Sequence, residues 1–258
     1  MVKGLYTAYT GMINQEHRMD VLTNNLANAN TNGYKKEGAT SQSFDAVLAY
    51  KIKDASEGYH LSKRIGVNHP GVKVGEGYTD FSQGPLKTTG NMYDLALTDS
   101  GFFAVEFTDK AGETSVKYTR DGNFTLTQEG RLVTQDGDAV LDEDGRPVEI
   151  DPLLDSQINT SGQIIQDGRV VATIQVTDFE DYNYLEHFGE NYYQPVEGAE
   201  EKDAAAQVYA GYLETSNISV VTEMVNMISV QRAYESNQKV ITTYDSTLDI
   251  SANQLGKI

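Results

Sequence analysis

Four histidines, His17, His60, His69 and His187, are the residues that could supply an imidazole base or a nitrogen ligand, and none is paired at metal-ligand spacing. Each reads as a lone surface or loop side chain. Cysteine is absent, which excludes disulfides, thiolate metal sites and cysteine nucleophiles together. Gly75-Glu76-Gly77 lacks the third glycine and the strand-to-helix setting of a dinucleotide loop, and no serine sits in a nucleophile elbow. The acidic cluster Asp136, Asp138, Asp142, Glu143 and Asp144 resembles calcium chemistry at first sight. Its spacing misses the loop template: counting from Asp142, the fifth position is Arg146 and no glycine follows at the sixth. A solvated hairpin rim is the simpler reading. Paired carboxylates for glycoside hydrolysis could be chosen anywhere among so many acids, so their presence carries no weight. These residues ask for no catalytic group, cofactor or metal.

The chain has 258 residues, 39% hydrophobic and 22% charged, with a formal net charge of -18. Such acidity offers no electrostatic footprint for nucleic acid or an anionic membrane surface. No apolar run approaches the ~20 residues of a membrane span, and the first residues lack the apolar segment of a secretory signal. The charge is segregated. Residues 101–200 carry 6 basic and 21 acidic side chains, whereas residues 1–60 carry 6 of each. The acidic middle is expected to face water, while the near-neutral ends can pack against other chains with little repulsion.

The elements follow the same division. All five prolines lie between Pro70 and Pro195, leaving both ends free of the strongest helix breaker. Leu5, Met12, Met19 and Leu26 recur every seven residues, accompanied by Ala8, Leu22 and Ala29, with Gln15 interrupting the second series. In the C-terminal stretch Val220, Met227, Tyr234, Ile241, Leu248 and Leu255 form an unbroken heptad series, with Ser219 as N-cap. Both stretches therefore predict long helices that need helical partners. Asn32-Gly33 marks the exit turn of the first, with Gly33 expected at positive φ. Asp-Gly pairs at 121–122, 136–137, 144–145 and 167–168, together with Glu129-Gly130, predict a meander of hairpins with two-residue turns. The fold class is α+β: helices at 1–30 and 216–258 pairing as a coiled-coil domain, an extended connector over 31–90, and an inserted β-rich domain over 91–215.

Asn24-Asn25-Leu26-Ala27-Asn28 followed by Thr31-Asn32-Gly33-Tyr34-Lys35-Lys36 resembles the N-terminal signature of flagellar basal-body rod and hook proteins. Leu213-Glu214-Thr215-Ser216-Asn217, Glu223-Met224-Val225-Asn226-Met227-Ile228 and Gln231-Arg232-Ala233-Tyr234-Glu235 resemble the matching C-terminal signature. Asp80-Phe81-Ser82-Gln83-Gly84, Gly101-Phe102-Phe103, Tyr118-Thr119-Arg120-Asp121-Gly122 and Gly189-Glu190-Asn191 are similar to the middle of the longer rod proteins. Asp99-Ser100 stands where the family form carries glycine. The resemblance implies a structural subunit that polymerises through its terminal helices into the hollow rod, of distal or near-distal type. It implies as partners further copies of the chain, other rod and hook proteins and the flagellar type III export apparatus, with location in the basal body outside the cytoplasmic membrane. The terminal residues Leu5, Met12, Met19, Leu22, Leu26, Val220, Met227, Tyr234, Ile241, Leu248 and Leu255 would then serve subunit packing. Competing readings are a hook-type axial protein, a secreted acidic module whose β domain takes a ligand or calcium, and a carboxylate-dependent hydrolase.

Overall fold

The structure, a computed structural model, describes residues 2–45, 47–51, 63–109, 112–189 and 191–253. His60 and Leu255 lie outside the described residues. Two long helices, α1 (Val2–Ala27) and α2 (Val220–Asn253), flank a succession of short, mostly antiparallel strands, which makes the fold α+β. Ser219 directly precedes α2, and its carbonyl accepts the first helical hydrogen bond, from the Glu223 N–H at 3.0 Å. The chain forms two compact units: 1–27, 37–79 and 219–258 in the first, 28–36 and 80–218 in the second.

In the first unit α1 and α2 lie side by side and antiparallel. The two glycines that weaken α1 stand at this contact. A β-carbon on Gly4 would run into the Tyr244 ring, and one on Gly11 would press on the Asn237 side chain. The rest of α1 is fastened to extended chain by polar side chains. Thr7 Oγ1 donates to the Pro70 carbonyl (3.2 Å), Asn14 Nδ2 to that of Lys73 (3.3 Å), and Ser41 Oγ to Asn14 Oδ1 (2.9 Å). Asn25 is fully buried and mimics a strand partner: Nδ2 donates to the Glu37 carbonyl and Oδ1 accepts the Glu37 N–H. The strand Lys36–Ser43 begins there and pairs with Val72–Asp80, which carries Gly75-Glu76-Gly77.

The second unit is built on the strand Phe102–Thr108, which pairs with Thr114–Thr119, Ala139–Val140 and Val176–Phe179. The order is thus more than a meander of neighbours. One core gathers Leu95, Phe103, Phe124, Leu132, Val148 and Ile164; a second gathers Phe102, Tyr118, Phe179 and Tyr193.

The turns correct the sequence reading. Only Asp167-Gly168 is a two-residue hairpin turn, with φ +49 and +74. The pairs at 129–130, 136–137 and 144–145 close three-residue loops. In each, the N–H of the residue before the loop (Thr127, Thr134, Asp142) reaches four residues on, and the glycine N–H returns to its carbonyl. Those glycines alone take positive φ (86, 98 and 71), the pattern of a type I turn closed by a left-handed residue. Asp121-Gly122 is no hairpin turn. Gly122 is there because the Leu95 carbonyl packs where a β-carbon would be, and its own carbonyl accepts the Leu95 N–H at 2.9 Å. Asp99, at φ +68, occupies a left-handed position, which glycine takes without strain and Asp tolerates.

Two glycines therefore respond oppositely to what φ alone suggests. Gly168→Ala meets open space and only the left-handed penalty, about 1–2 kcal/mol. Gly122→Ala collides with backbone and is expected to cost more, as read from urea unfolding of the full chain.

Candidate functional site

A buried carboxylate ties together separate stretches of the second unit. Glu214 ends the strand Tyr212–Glu214 and is 1% exposed, between Lys35 (1%) and Arg120 (3%). Its Oε1 accepts from Lys35 Nζ at 2.6 Å and from the Gly84 N–H at 2.7 Å, and its Oε2 faces an Arg120 guanidinium nitrogen at 3.4 Å. Lys35 Nζ also donates to the Ser82 carbonyl at 3.0 Å. The Arg120 guanidinium lies over the Phe102 ring, 5.1 Å from its center. Two cations share this one buried carboxylate, and the more distant Asp80 also attracts Lys35. Burial pushes the Lys35 ammonium below its ordinary value; the Glu214 carboxylate opposes that shift and Arg120 adds to it.

Backbone and amide contacts complete the knot. The Gly33 N–H donates to the Glu214 carbonyl at 2.8 Å. Gly33 stands at φ +68, and a β-carbon there would sit 2.5 Å from the Arg120 carbonyl carbon. Asn217 Oδ1 accepts the Lys36 N–H at 2.8 Å, while its Nδ2 donates to the Asp80 and Ser82 carbonyls. Asn191 Nδ2 donates to the Asn32 carbonyl at 2.7 Å, and Thr119 Oγ1 donates to the Asn191 carbonyl. The motifs around 31–36, 80–84, 118–122, 191 and 213–217, scattered along the sequence, thus converge on one place. A carboxylate so fully engaged is no base or nucleophile; it fixes chain segments. Sequence reasoning marked Asn32 and Gly33 but missed Lys35, Arg120 and Glu214, whose signal was their presence inside the quoted motifs.

The other candidate chemistry is accounted for locally. Asp142 Oδ1 accepts the Glu143 and Thr173 N–H groups, and Asp138 Oδ2 accepts the Tyr192 hydroxyl, so the acidic cluster braces hairpin rims. Among the described residues no three His, Asp or Glu side chains are grouped to hold a metal. His17 and His69 are exposed, and His187 packs edge-on against Tyr34 and Tyr193.

On the helices, Leu5, Met12, Met19, Leu22 and Leu26 are half-buried, as are Met227, Tyr234 and Ile241, whereas Val220 and Leu248 are exposed. Glu223 and Val230 are the buried residues of α2. Further apolar side chains stay in solvent: Tyr6, Tyr9 and Ile13 on α1, Val221, Met224, Val225 and Ile228 on α2.

The comparison with known proteins agrees with the motifs and extends over the chain. Residues 5–35 match the flagella basal body rod protein model, 96–172 the flagellar hook protein FlgE/F/G D1 domain, and 209–255 the flagellar basal body rod FlgEFG protein C-terminal model. The chain is 33% identical to the flagellar basal-body rod protein FlgG of Buchnera aphidicola (Acyrthosiphon pisum), over 96% of its own length and 98% of that protein. It belongs to the flagellar basal-body rod protein family. Similarity is of the same order to FlgF of Caulobacter vibrioides (35%) and to the flagellar hook-basal body complex protein FlhO of Bacillus subtilis (32%), each over the full length of both chains. Of the ion cluster, Lys35 falls at the end of the first matched segment, Arg120 in the second and Glu214 in the third.

Two tests address the site. Glu214→Gln leaves two buried cations without their anion and is expected to cost about 3–5 kcal/mol in denaturant unfolding; adding Lys35→Met should recover part of the loss. Asp121, beside Arg120, has its carboxyl raised above the usual value by burial, against the opposing Asn123 N–H. With the folded value above the unfolded one, the ionised carboxylate costs stability at neutral pH, and that cost disappears as pH falls below the unfolded value. Asp121→Asn should therefore raise the melting temperature at pH 7, with the gain shrinking toward zero at acidic pH.

Proposed function

We propose that the chain is a structural subunit of the flagellar basal-body rod, with α1 and α2 pairing in coiled-coil fashion and polymerising with further copies and with other rod and hook proteins. The observation that carries this is the full-length similarity to rod proteins, whose matched segments include all three residues of the buried cluster. The physical design supports it. Most of α2 is solvent-exposed in the single chain although it runs for 34 residues, and an isolated helix with so little burial is marginal in water. Neighbouring copies would supply the missing cover, with Leu5, Met12, Met19, Leu22, Leu26, Val220, Met227, Tyr234, Ile241, Leu248 and Leu255 as packing positions. The acidic middle, with 21 acidic side chains in residues 101–200, belongs on the outside, where copies do not crowd like charges together. Export through the flagellar type III apparatus and residence in the basal body follow from the same reading, as does a role without catalysis or cofactor.

Deletion of residues 241–258 is expected to abolish incorporation into purified basal bodies while leaving the melting transition of the β-rich unit in place. Hydrogen exchange should show α2 amides weakly protected in the dilute chain and strongly protected after assembly. Incorporation of the truncated chain at the normal level would overturn the proposal.

A further inference from the structure

We infer that Asn32 is a site of spontaneous covalent modification: in the open chain its side-chain amide cyclises with the Gly33 nitrogen and is lost as ammonia, and closure of the knot around Glu214 stops the reaction. Of the sixteen asparagines in the chain, Asn32 alone is followed by glycine. Attack on an asparagine side chain by the next backbone nitrogen is hindered by a β-carbon on that next residue, and glycine has none. Asparagine is in any case among the thermolabile residues.

The chemistry consumes only water. The Gly33 nitrogen gives its proton to water and bonds to Asn32 Cγ. The Cγ–Nδ2 bond breaks, ammonia leaves, and a cyclic imide remains. Water then opens the imide at either carbonyl. Opening at Cγ leaves an aspartate in an unchanged backbone. Opening at the backbone carbonyl routes the chain through Cγ, giving an isoaspartyl link that is longer by one backbone carbon.

The fold blocks the first of these steps. The peptide group between Asn32 and Gly33 must turn for its nitrogen to meet the side chain, and both of its polar atoms are held. The Gly33 N–H donates to the Glu214 carbonyl at 2.8 Å, and the Asn32 carbonyl accepts from Asn191 Nδ2 at 2.7 Å. Asn191 is itself anchored, since its carbonyl accepts the Thr119 hydroxyl at 2.9 Å. Gly33 is buried at φ +68, so close to the Arg120 backbone that a β-carbon would lie 2.5 Å from it. Turning the peptide group would break both hydrogen bonds in a buried place. Attack therefore needs the knot to open, and its rate follows the population of opened chains. The coupling runs the other way too. The extra carbon of an isoaspartyl link shifts Gly33 relative to residue 32, so the bonds to Glu214 and Asn191 no longer form together. An isoaspartyl chain is barred from the closed knot, whereas the aspartyl chain keeps the backbone that the knot requires. The turn thus marks chains that stayed unfolded.

The test follows the full chain in mildly alkaline buffer with and without urea, peptide mass spectrometry reading conversion of the Asn32 amide to a carboxyl. Conversion in urea should be at least about tenfold faster than in the native chain. Asn191→Ala removes the donor to the Asn32 carbonyl and should speed the native reaction several-fold while leaving the rate in urea unchanged. After return to native buffer, a protease should digest isoaspartyl chains first and spare the aspartyl and unmodified ones. Equal rates with and without urea would overturn the protection, and no conversion at Asn32 in urea would overturn the site. An unchanged native rate in Asn191→Ala would remove Asn191 from the hold, and isoaspartyl chains as resistant as unmodified ones would overturn their exclusion from the knot. The comparison in urea uses the unaltered chain, so it decides the matter whether or not Asn191→Ala folds.

Discussion

One carboxylate holds the β-rich unit's entry and exit strands together. The Glu214 carboxylate cannot be buried without donors, and they come from separate stretches of the chain: Lys35 from the first, Gly84 from the second and Arg120 from the sheet, while the Gly33 N–H bonds the Glu214 carbonyl, the Ser82 carbonyl accepts from Lys35 and Asn217 Oδ1 accepts the Lys36 N–H. Arg120 links the knot to the sheet and stacks on Phe102, itself part of a core. A buried ion cluster is weak evidence for stability, because desolvation offsets much of the attraction. Its value lies in specificity. Any other register of these segments would strand a lysine, an arginine or a glutamate in apolar surroundings.

The same logic explains two features that look unrelated. Gly33 must lack a side chain because the Arg120 backbone passes against it. Asn25 and Asn217 serve as substitutes for a strand edge, offering one acceptor and one donor to passing backbone, at Glu37 and around Lys36 and Ser82. An asparagine has the right groups at the right separation for that, and an aspartate would lose the donor.

Much of the architecture was legible in the sequence because it depends on local rules. Absent prolines and seven-residue series mark α1 and α2, and glycine after an acidic residue marks most hairpins. The length of each hairpin loop was not legible: it depends on which backbone groups pair, and Asp144-Gly145 and Asp167-Gly168 look alike until the strands are in register. Gly122 misled for a similar reason, since its partner, the Leu95 carbonyl, is remote in sequence. The ion cluster was hidden because Lys35, Arg120 and Glu214 have no spacing that announces contact. Nor did the heptad series announce that Val220 and Leu248 would be left in solvent while Thr10, Asn14 and Asn25 were buried.

The loop geometry has a mechanical side. A chain that enters a folded body twice, and is knotted at its points of entry, receives any pull along its backbone first at the knot. Lys36 and Asn217 are gripped by the same hydrogen bond, so tension applied through both neighbouring stretches loads that bond and the Lys35–Glu214 pair together. The sheet around Phe103 lies downstream of this clamp and keeps its register while the clamp holds. The strands behind the clamp, only two to seven residues long around Phe103, are thereby spared the first of the load.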